Sequence, residues 1–207
     1  MIRLLLFVTA LFCASLASAQ ELPALHDVTG VAHDDVLNIR EEPNANTPII
    51  AELAFNARNI EVVALSEDAR WGLVNAMETS GWVAMRYLMP VPGDGWAHPG
   101  ASLSCGGTEP FWDMAINGDT PGQAVFQAMA EDHKRSFTLQ WHTGQVARPD
   151  HTIGLGGFGP TGEMTAVIRN EACHDGMSDR NFGLDIDLFF HNGEQASGFE
   201  GCCSVRP

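Results

Sequence analysis

The chain has 207 residues and a net charge of −15, with 26 acidic side chains against 11 Lys and Arg. So acidic a chain is not expected to bind nucleic acid or anionic lipid, since both require basic side chains that neutralise phosphate. The excess negative charge favours solubility and leaves a basic protein partner open.

The N-terminus has the pattern of a secretory signal peptide, predicted over residues 1–19. Arg3 precedes an apolar run, residues 4–16, that ends in Ala17-Ser18-Ala19. This run is shorter than the roughly 20 residues that a bilayer helix needs, so we predict cleavage before Gln20 rather than a membrane anchor. The mature chain would carry 10 Lys and Arg against 26 acids, a net charge of −16. We expect it to be periplasmic or secreted, with no integral membrane segment.

Short apolar runs of β type fill the first half of the mature chain, separated by Gly, Pro, Asn or Asp. They cover residues 28–31, 36–39, 49–53, 60–65, 71–74 and 81–84. Their length and spacing predict a small barrel.

Asn38 and Arg40 lie where one of these strands runs into the turn at Pro43. An Asn beside a turn usually binds backbone groups, so we expect Asn38 to be structural. Arg40 could bind an anionic ligand, but an ion pair with the adjacent residues 41–42, both Glu, is the default expectation.

Residues 26–90 resemble bacterial SH3 (SH3b) domains. The matching segments are 28–32, 35–40 with Pro43, 48–50, 60–63, Trp71, 81–83 and 86–88. The resemblance implies a small, strongly bent β-barrel of the kind often attached to envelope proteins, sometimes able to bind peptidoglycan or peptides. Such modules also accompany many enzymes.

Trp71, Trp82 and Tyr87 are the candidate binding residues of this half. Aromatic faces suit peptides and sugar rings, so the three side chains could line a shallow groove. Core and rim packing is the alternative, and it is the one we favour for Trp82. The family often has Gly-Trp before a strand, whereas this chain has Arg-Trp-Gly at residues 70–72.

Residues 91–102 are rich in Pro and Gly and are predicted to link two domains, 26–90 and 103–207. Trp96 within the linker is expected to pack on one neighbour.

The second domain contains further strand-like runs. They cover residues 111–116, 124–129, 136–141, 164–170, 184–190 and 197–200. Residues 123–135 fit a strand or an amphipathic helix, and we favour the strand. Residues 154–162 contain too much glycine for a regular element to be expected.

The mature chain has four cysteines, Cys105, Cys173, Cys202 and Cys203. An even number in an exported chain favours disulfides over a metal site or a thiol nucleophile beside His174. Adjacent cysteines rarely bond to each other, so Cys202 and Cys203 are each expected to pair with Cys105 or Cys173, in either combination.

Glu109 and Trp112 belong to a small-residue turn, residues 104–112, and are the candidate binding residues of this half. Glu109 could act as a catalytic acid, but a lone carboxylate lacks a chemical partner. A turn in which Glu109 accepts from backbone amides is the more common arrangement.

The second half also resembles an uncharacterised family of exported bacterial proteins. The shared motifs are Cys105 with residues 107–112, Cys173 with residues 175–178, and Gly201-Cys202. The resemblance implies an envelope β-domain, loosely similar to lysozyme-inhibitor-like or lipocalin-like barrels.

We therefore predict an all-β protein, an SH3-like small barrel followed by a disulfide-stapled antiparallel β-barrel-like domain. No catalytic set, cofactor motif or metal site is visible; the even spacing of His133, His142 and His151 fixes no coordination geometry. The leading hypothesis is a non-enzymatic envelope protein that binds peptidoglycan or an envelope protein. The alternatives are a wall hydrolase, using Glu109, Asp113 and residues 174–175, or an inhibitor of a basic lysozyme.

Overall fold

The computed structural model describes residues 21–118 and 122–207. The predicted signal peptide lies outside the described residues. The described chain is all-β, as predicted, and forms two sheets. In this part of the chain no helix is long and apolar enough to span a bilayer.

Seven strands form the first sheet. They are β1 (Ala24–Val28), β2 (Val36–Arg40), β3 (Ile49–Ala54), β4 (Ile60–Leu65), β5 (Trp71–Ala76), β6 (Thr79–Ala84) and β7 (Leu88–Pro90). Their order is β3-β2-β6-β5-β4-β1-β7, and the sheet stays open between β3 and β7.

The first sheet buries one face around a small aliphatic core. Leu37 and Ile39 of β2 meet Val62 of β4, Val74 of β5 and Val83 of β6 there. Strands far apart in the order can share this core because the sheet bends, helped by register shifts in β2 and β4. The other face of the β5–β6 pair, which carries Trp71, Leu73 and Trp82, lies outside this core.

Eight strands form a closed barrel. They are β8 (Ser102–Thr108), β9 (Phe111–Asn117), β10 (Gln123–Ala128), β11 (Arg135–Gln145), β12 (Arg148–Gly159), β13 (Gly162–Arg169), β14 (Leu184–His191) and β15 (Ala196–Arg206). Each strand pairs antiparallel with the next, and β15 closes the ring on β8.

Side chains close the two ends of this barrel differently. At one end Arg135 pairs with Glu131 and lies 5.0 Å from the ring centre of Phe126 and 4.8 Å from that of Phe190. At the other end Trp96, from the segment between the sheets, is fully buried in the barrel core. A Pro/Gly-rich segment thus supplies the aromatic side chain that covers the barrel.

Two disulfides staple the barrel. Cys105 and Cys203 are directly opposed on β8 and β15, the first and last strands, so their bond crosses the closing seam inside the core. Cys173 bonds to Cys202 and ties the β13–β14 loop to β15. Each of the adjacent cysteines therefore bonds to a distant partner, as predicted.

The prediction for residues 154–162 was wrong, because β12 is a regular strand as far as Gly159 and only residues 160–161 form a turn. Its glycines make room for an indole: a Cβ at Gly154 would lie 3.2 Å from Trp141 Cζ3, and one at Gly156 would collide with the Trp141 ring. The strand prediction for residues 123–135 is confirmed for residues 123–128, which form β10, whereas residues 129–134 form the turn that leads to β11.

Candidate functional site

A surface groove on the first sheet brings together residues from three separate segments. Its walls are residues 43–45 of the β2–β3 loop, residues 69–71 at the start of β5, and residues 84–86 after β6. The groove has a volume of about 650 Å³ and is lined by the partly exposed ring of Trp71. This is enough space for a segment of extended peptide.

Hydrogen bonds hold the Trp71 side of the groove in place. Asp68 accepts from the Ser66 hydroxyl at 2.7 Å and from the Arg70 side chain at 2.6 Å. The Ser66 hydroxyl in turn accepts from the Trp71 backbone N–H at 3.1 Å. The bond from Ser66, together with those from the Arg70 backbone and side chain, lowers the pKa of Asp68 to about 2. Asp68 is therefore ionised at neutral pH and keeps this loop ordered.

The opposite side is fixed by the β2–β3 loop. The Thr47 hydroxyl donates to the Asn44 carbonyl at 2.9 Å, and Arg40 donates to the Thr47 carbonyl at 2.6 Å. The predicted structural role of Arg40 thus holds, but its partner is a backbone carbonyl rather than a neighbouring glutamate. Asn38 lies opposite Glu52, on the strand face away from Leu37 and Ile39.

Two arginines flank the indole in this acidic protein. Both Arg70 and Arg86 are exposed, and Arg86 lies 4.7 Å from the ring centre of Tyr87. The Arg70 charge is balanced by Asp68 at 2.6 Å, so the Arg86 guanidinium is the group that favours a ligand carrying a carboxylate.

The three aromatic candidates of the first sheet, Trp71, Trp82 and Tyr87, do not line one common groove. Trp82 faces Leu73 across the β5–β6 pair, so it shares the outer sheet face with Trp71 as a diagonal neighbour. Val83, not Trp82, enters the core. Tyr87 packs against the core elsewhere, beside Gly30. Trp71 alone of the three lines the groove.

The two candidates of the second half do not form a site together. Glu109 is exposed in the turn between β8 and β9. Trp112 is buried: its ring centre lies 5.7 Å from that of Phe126, and its indole N–H donates to the Glu200 carbonyl at 3.2 Å. Trp112 is therefore a core residue.

Asp175, one of the residues proposed for a hydrolase, is held by hydrogen bonds within its own turn. Asp175 accepts from the backbone N–H groups of Met177 and Ser178 and from the Ser178 hydroxyl. Burial alone would raise the pKa of Asp175, but these donors outweigh it and lower the pKa. Asp175 thus caps a turn, and it accepts these hydrogen bonds as an ionised carboxylate. Among the described residues no group of three or more His, Cys, Asp and Glu could hold a metal ion.

The two sheets are joined by polar contacts through the β13–β14 loop. The Asn75 side chain donates to the Asn181 carbonyl at 2.8 Å and accepts from the Asn181 N–H at 3.1 Å. The Asp179 N–H donates to the Glu78 carbonyl at 2.9 Å. The loop that makes these contacts is the one that the Cys173–Cys202 disulfide ties to the barrel.

A polar cleft of about 470 Å³ lies between the sheets, with Glu61 in its wall. A Glu61 carboxylate oxygen accepts from the Val205 backbone N–H at 2.7 Å. Burial raises the pKa of Glu61 despite that bond and the nearby charges of Arg180 and Arg206. The protonated carboxyl is therefore favoured more in the folded protein than in the unfolded chain.

Glu61→Gln is expected to remove a pH-dependent loss of stability. Because the folded pKa of Glu61 is raised, its contribution is fully present below the unfolded pKa and is lost as pH rises through the folded pKa. The unfolding free energy of the wild type should therefore fall relative to that of Glu61→Gln as pH rises from the ordinary pKa of a glutamate carboxyl through the raised folded pKa. Urea unfolding at several pH values measures this difference. The exposed Glu67→Gln is the matched control, and an equal trend in both variants would contradict the assignment.

Comparison with protein-family models, with curated proteins and with solved structures found no match to this chain.

Several residues at these sites carry little signal in the sequence. Arg70 is adjacent to Trp71 in sequence, but Arg86 comes near Trp71 only because β5 and β6 form a hairpin. Glu61 and Val205 are at opposite ends of the chain. The sequence around Trp71 gives no charge signal either, because Glu67 and Asp68 stand beside Arg70.

Proposed function

We propose that this protein is a non-enzymatic, exported cell-envelope protein that binds the acidic peptide part of peptidoglycan through the Trp71 groove. The observation that carries the proposal is the partly exposed Trp71 ring between two exposed arginines, in a chain whose net charge is −15. The resemblance of residues 26–90 to SH3b domains supports the same ligand class.

The chemistry of the groove matches such a ligand. An indole face contacts the methyl and methylene groups of a peptide, while a guanidinium binds a carboxylate through two parallel hydrogen bonds. Arg70 is already bonded to Asp68, so Arg86 is the residue that we assign to the ligand carboxylate. The groove is open and preformed, which suits an extended segment of a polymer.

The cysteines support the proposed compartment. Two disulfides fit an oxidising, extracytoplasmic environment. Together with the secretory pattern of residues 1–19, they support a periplasmic or secreted location, where peptidoglycan is accessible.

Trp71→Ala is expected to weaken binding to purified peptidoglycan at least about tenfold, the loss typical of an aromatic residue at the centre of an interface. Arg86→Ala should weaken it too, and more strongly at low salt, because screening reduces the charge interaction. Co-sedimentation with insoluble cell wall measures both.

Trp141→Ala is the matched control, since Trp141 is 47% exposed but lies on the barrel. It should sediment with the wall like the wild type. Equal sedimentation of wild type and Trp71→Ala would contradict the proposal, as would hydrolysis of the wall by the wild-type protein.

A further inference from the structure

A cavity lies at the end of the barrel that Trp96 covers. It has a volume of about 200 Å³. Inward-facing residues of β11 and β12 form its apolar wall, among them Leu139, Ile153 and Leu155. The exposed Trp141 and the His98 ring lie at its rim. The Trp96 end of the barrel therefore contains unfilled space beside the core.

Two residues that line this cavity, Trp96 and His142, each have a buried side-chain nitrogen without a hydrogen-bond partner among the described residues. In His142 this nitrogen is Nε2. Burial, and the nearby positive charge of His98, lower the pKa of His142, so its ring is neutral at pH 7. A neutral imidazole has one nitrogen that donates and one that accepts, and a buried one without a partner is unfavourable.

The size of the cavity sets the size of the ligand. A cavity of about 150 Å³ lined by aliphatic and aromatic side chains accommodates a benzene ring. This cavity is somewhat larger, which leaves space for one small substituent. An eight-stranded barrel is also the size at which an interior can hold one small ligand.

We infer that the Trp96 end of the barrel binds a single-ring organic molecule with one hydroxyl group, the ring against Leu139 and Leu155 and the hydroxyl on His142 Nε2. This site is separate from the Trp71 groove in both position and chemistry. It takes an apolar ring, whereas the groove takes a carboxylate-bearing peptide. Wall binding by the Trp71 groove can therefore be disproved without affecting the cavity, and ring binding by the cavity can be disproved without affecting the groove.

The test uses 4-fluorophenol as the probe and 4-fluorotoluene, which lacks the hydroxyl, as the comparison ligand. Fluorine NMR titration of the full mature chain should give saturable 4-fluorophenol binding with a dissociation constant below about 1 mM. His142→Leu should weaken it about tenfold, the effect of one hydrogen bond, and should leave 4-fluorotoluene binding no weaker. His133→Leu, at the opposite end of the barrel, is the matched control and should bind like the wild type.

A second measurement needs no variant. Bound 4-fluorophenol should give nuclear Overhauser effects to the methyl groups of Leu139 and Leu155 in the wild-type protein. Absence of saturable binding, absence of these effects, or equal weakening by His142→Leu and His133→Leu would each overturn the inference.

Discussion

Replacing Cys105 and Cys203 together with alanine is expected to lower the melting temperature of the barrel by about 15–20 °C. The two residues are 98 apart in sequence, and their bond joins the first strand of the barrel to the last. A loop of that length corresponds to about 4.7 kcal/mol of unfolded-state entropy. Circular dichroism during heating measures the change.

The Cys173→Ala/Cys202→Ala double variant is the matched comparison. Its bond spans 29 residues and lies outside the barrel seam, so we expect a smaller loss, about 3–4 kcal/mol. This variant should also loosen the β13–β14 loop, which contacts the first sheet through Asn181. A larger loss for this variant than for the seam variant would contradict the role assigned to the seam.

Trp112→Ala should cost about 3–5 kcal/mol of unfolding free energy, the range for removing a large buried aromatic side chain. Trp112 is 4% exposed and contacts the rings of Phe126 and Phe199. Trp112→Phe keeps an aromatic ring but leaves the Glu200 carbonyl without its indole donor, so about 1–3 kcal/mol is expected. Guanidinium unfolding followed by circular dichroism measures both.

A measurement of peptidoglycan binding distinguishes a core role of Trp112 from a ligand-binding role. Trp112→Phe should bind peptidoglycan like the wild type once it is folded, because its ring contacts the barrel core and not the groove. Loss of binding at near-native stability would show that Trp112 belongs to a ligand site after all.

Local pattern in the sequence predicted much of the fold. The strand-like runs at residues 184–190 and 164–170 predicted strands where β14 and β13 lie. The rule against bonds between adjacent cysteines limited the disulfides to two combinations. Periodicity and cysteine chemistry act over short distances, so a single sequence reveals them.

Features set by tertiary contact could not be predicted in this way. The glycines of β12 suggest a loop until the Trp141 indole that lies across them is known. Trp112 looked like a binding residue because its burial depends on strands up to 88 positions away. The groove is made from three segments that are distant in sequence. Local pattern does not show that Arg86, and not Tyr87, lines it. Nor does it show that Glu61 contacts Val205.

Titration of the isotope-labelled mature protein with soluble muropeptides tests the central claim most directly. The proposal predicts saturable amide shifts that are largest at the Trp71 indole, at Arg86 and in residues 43–45, and that disappear in Trp71→Ala. Shifts confined to the barrel, or none at a muropeptide concentration of a few millimolar, about the weak limit for a specific contact, would contradict it.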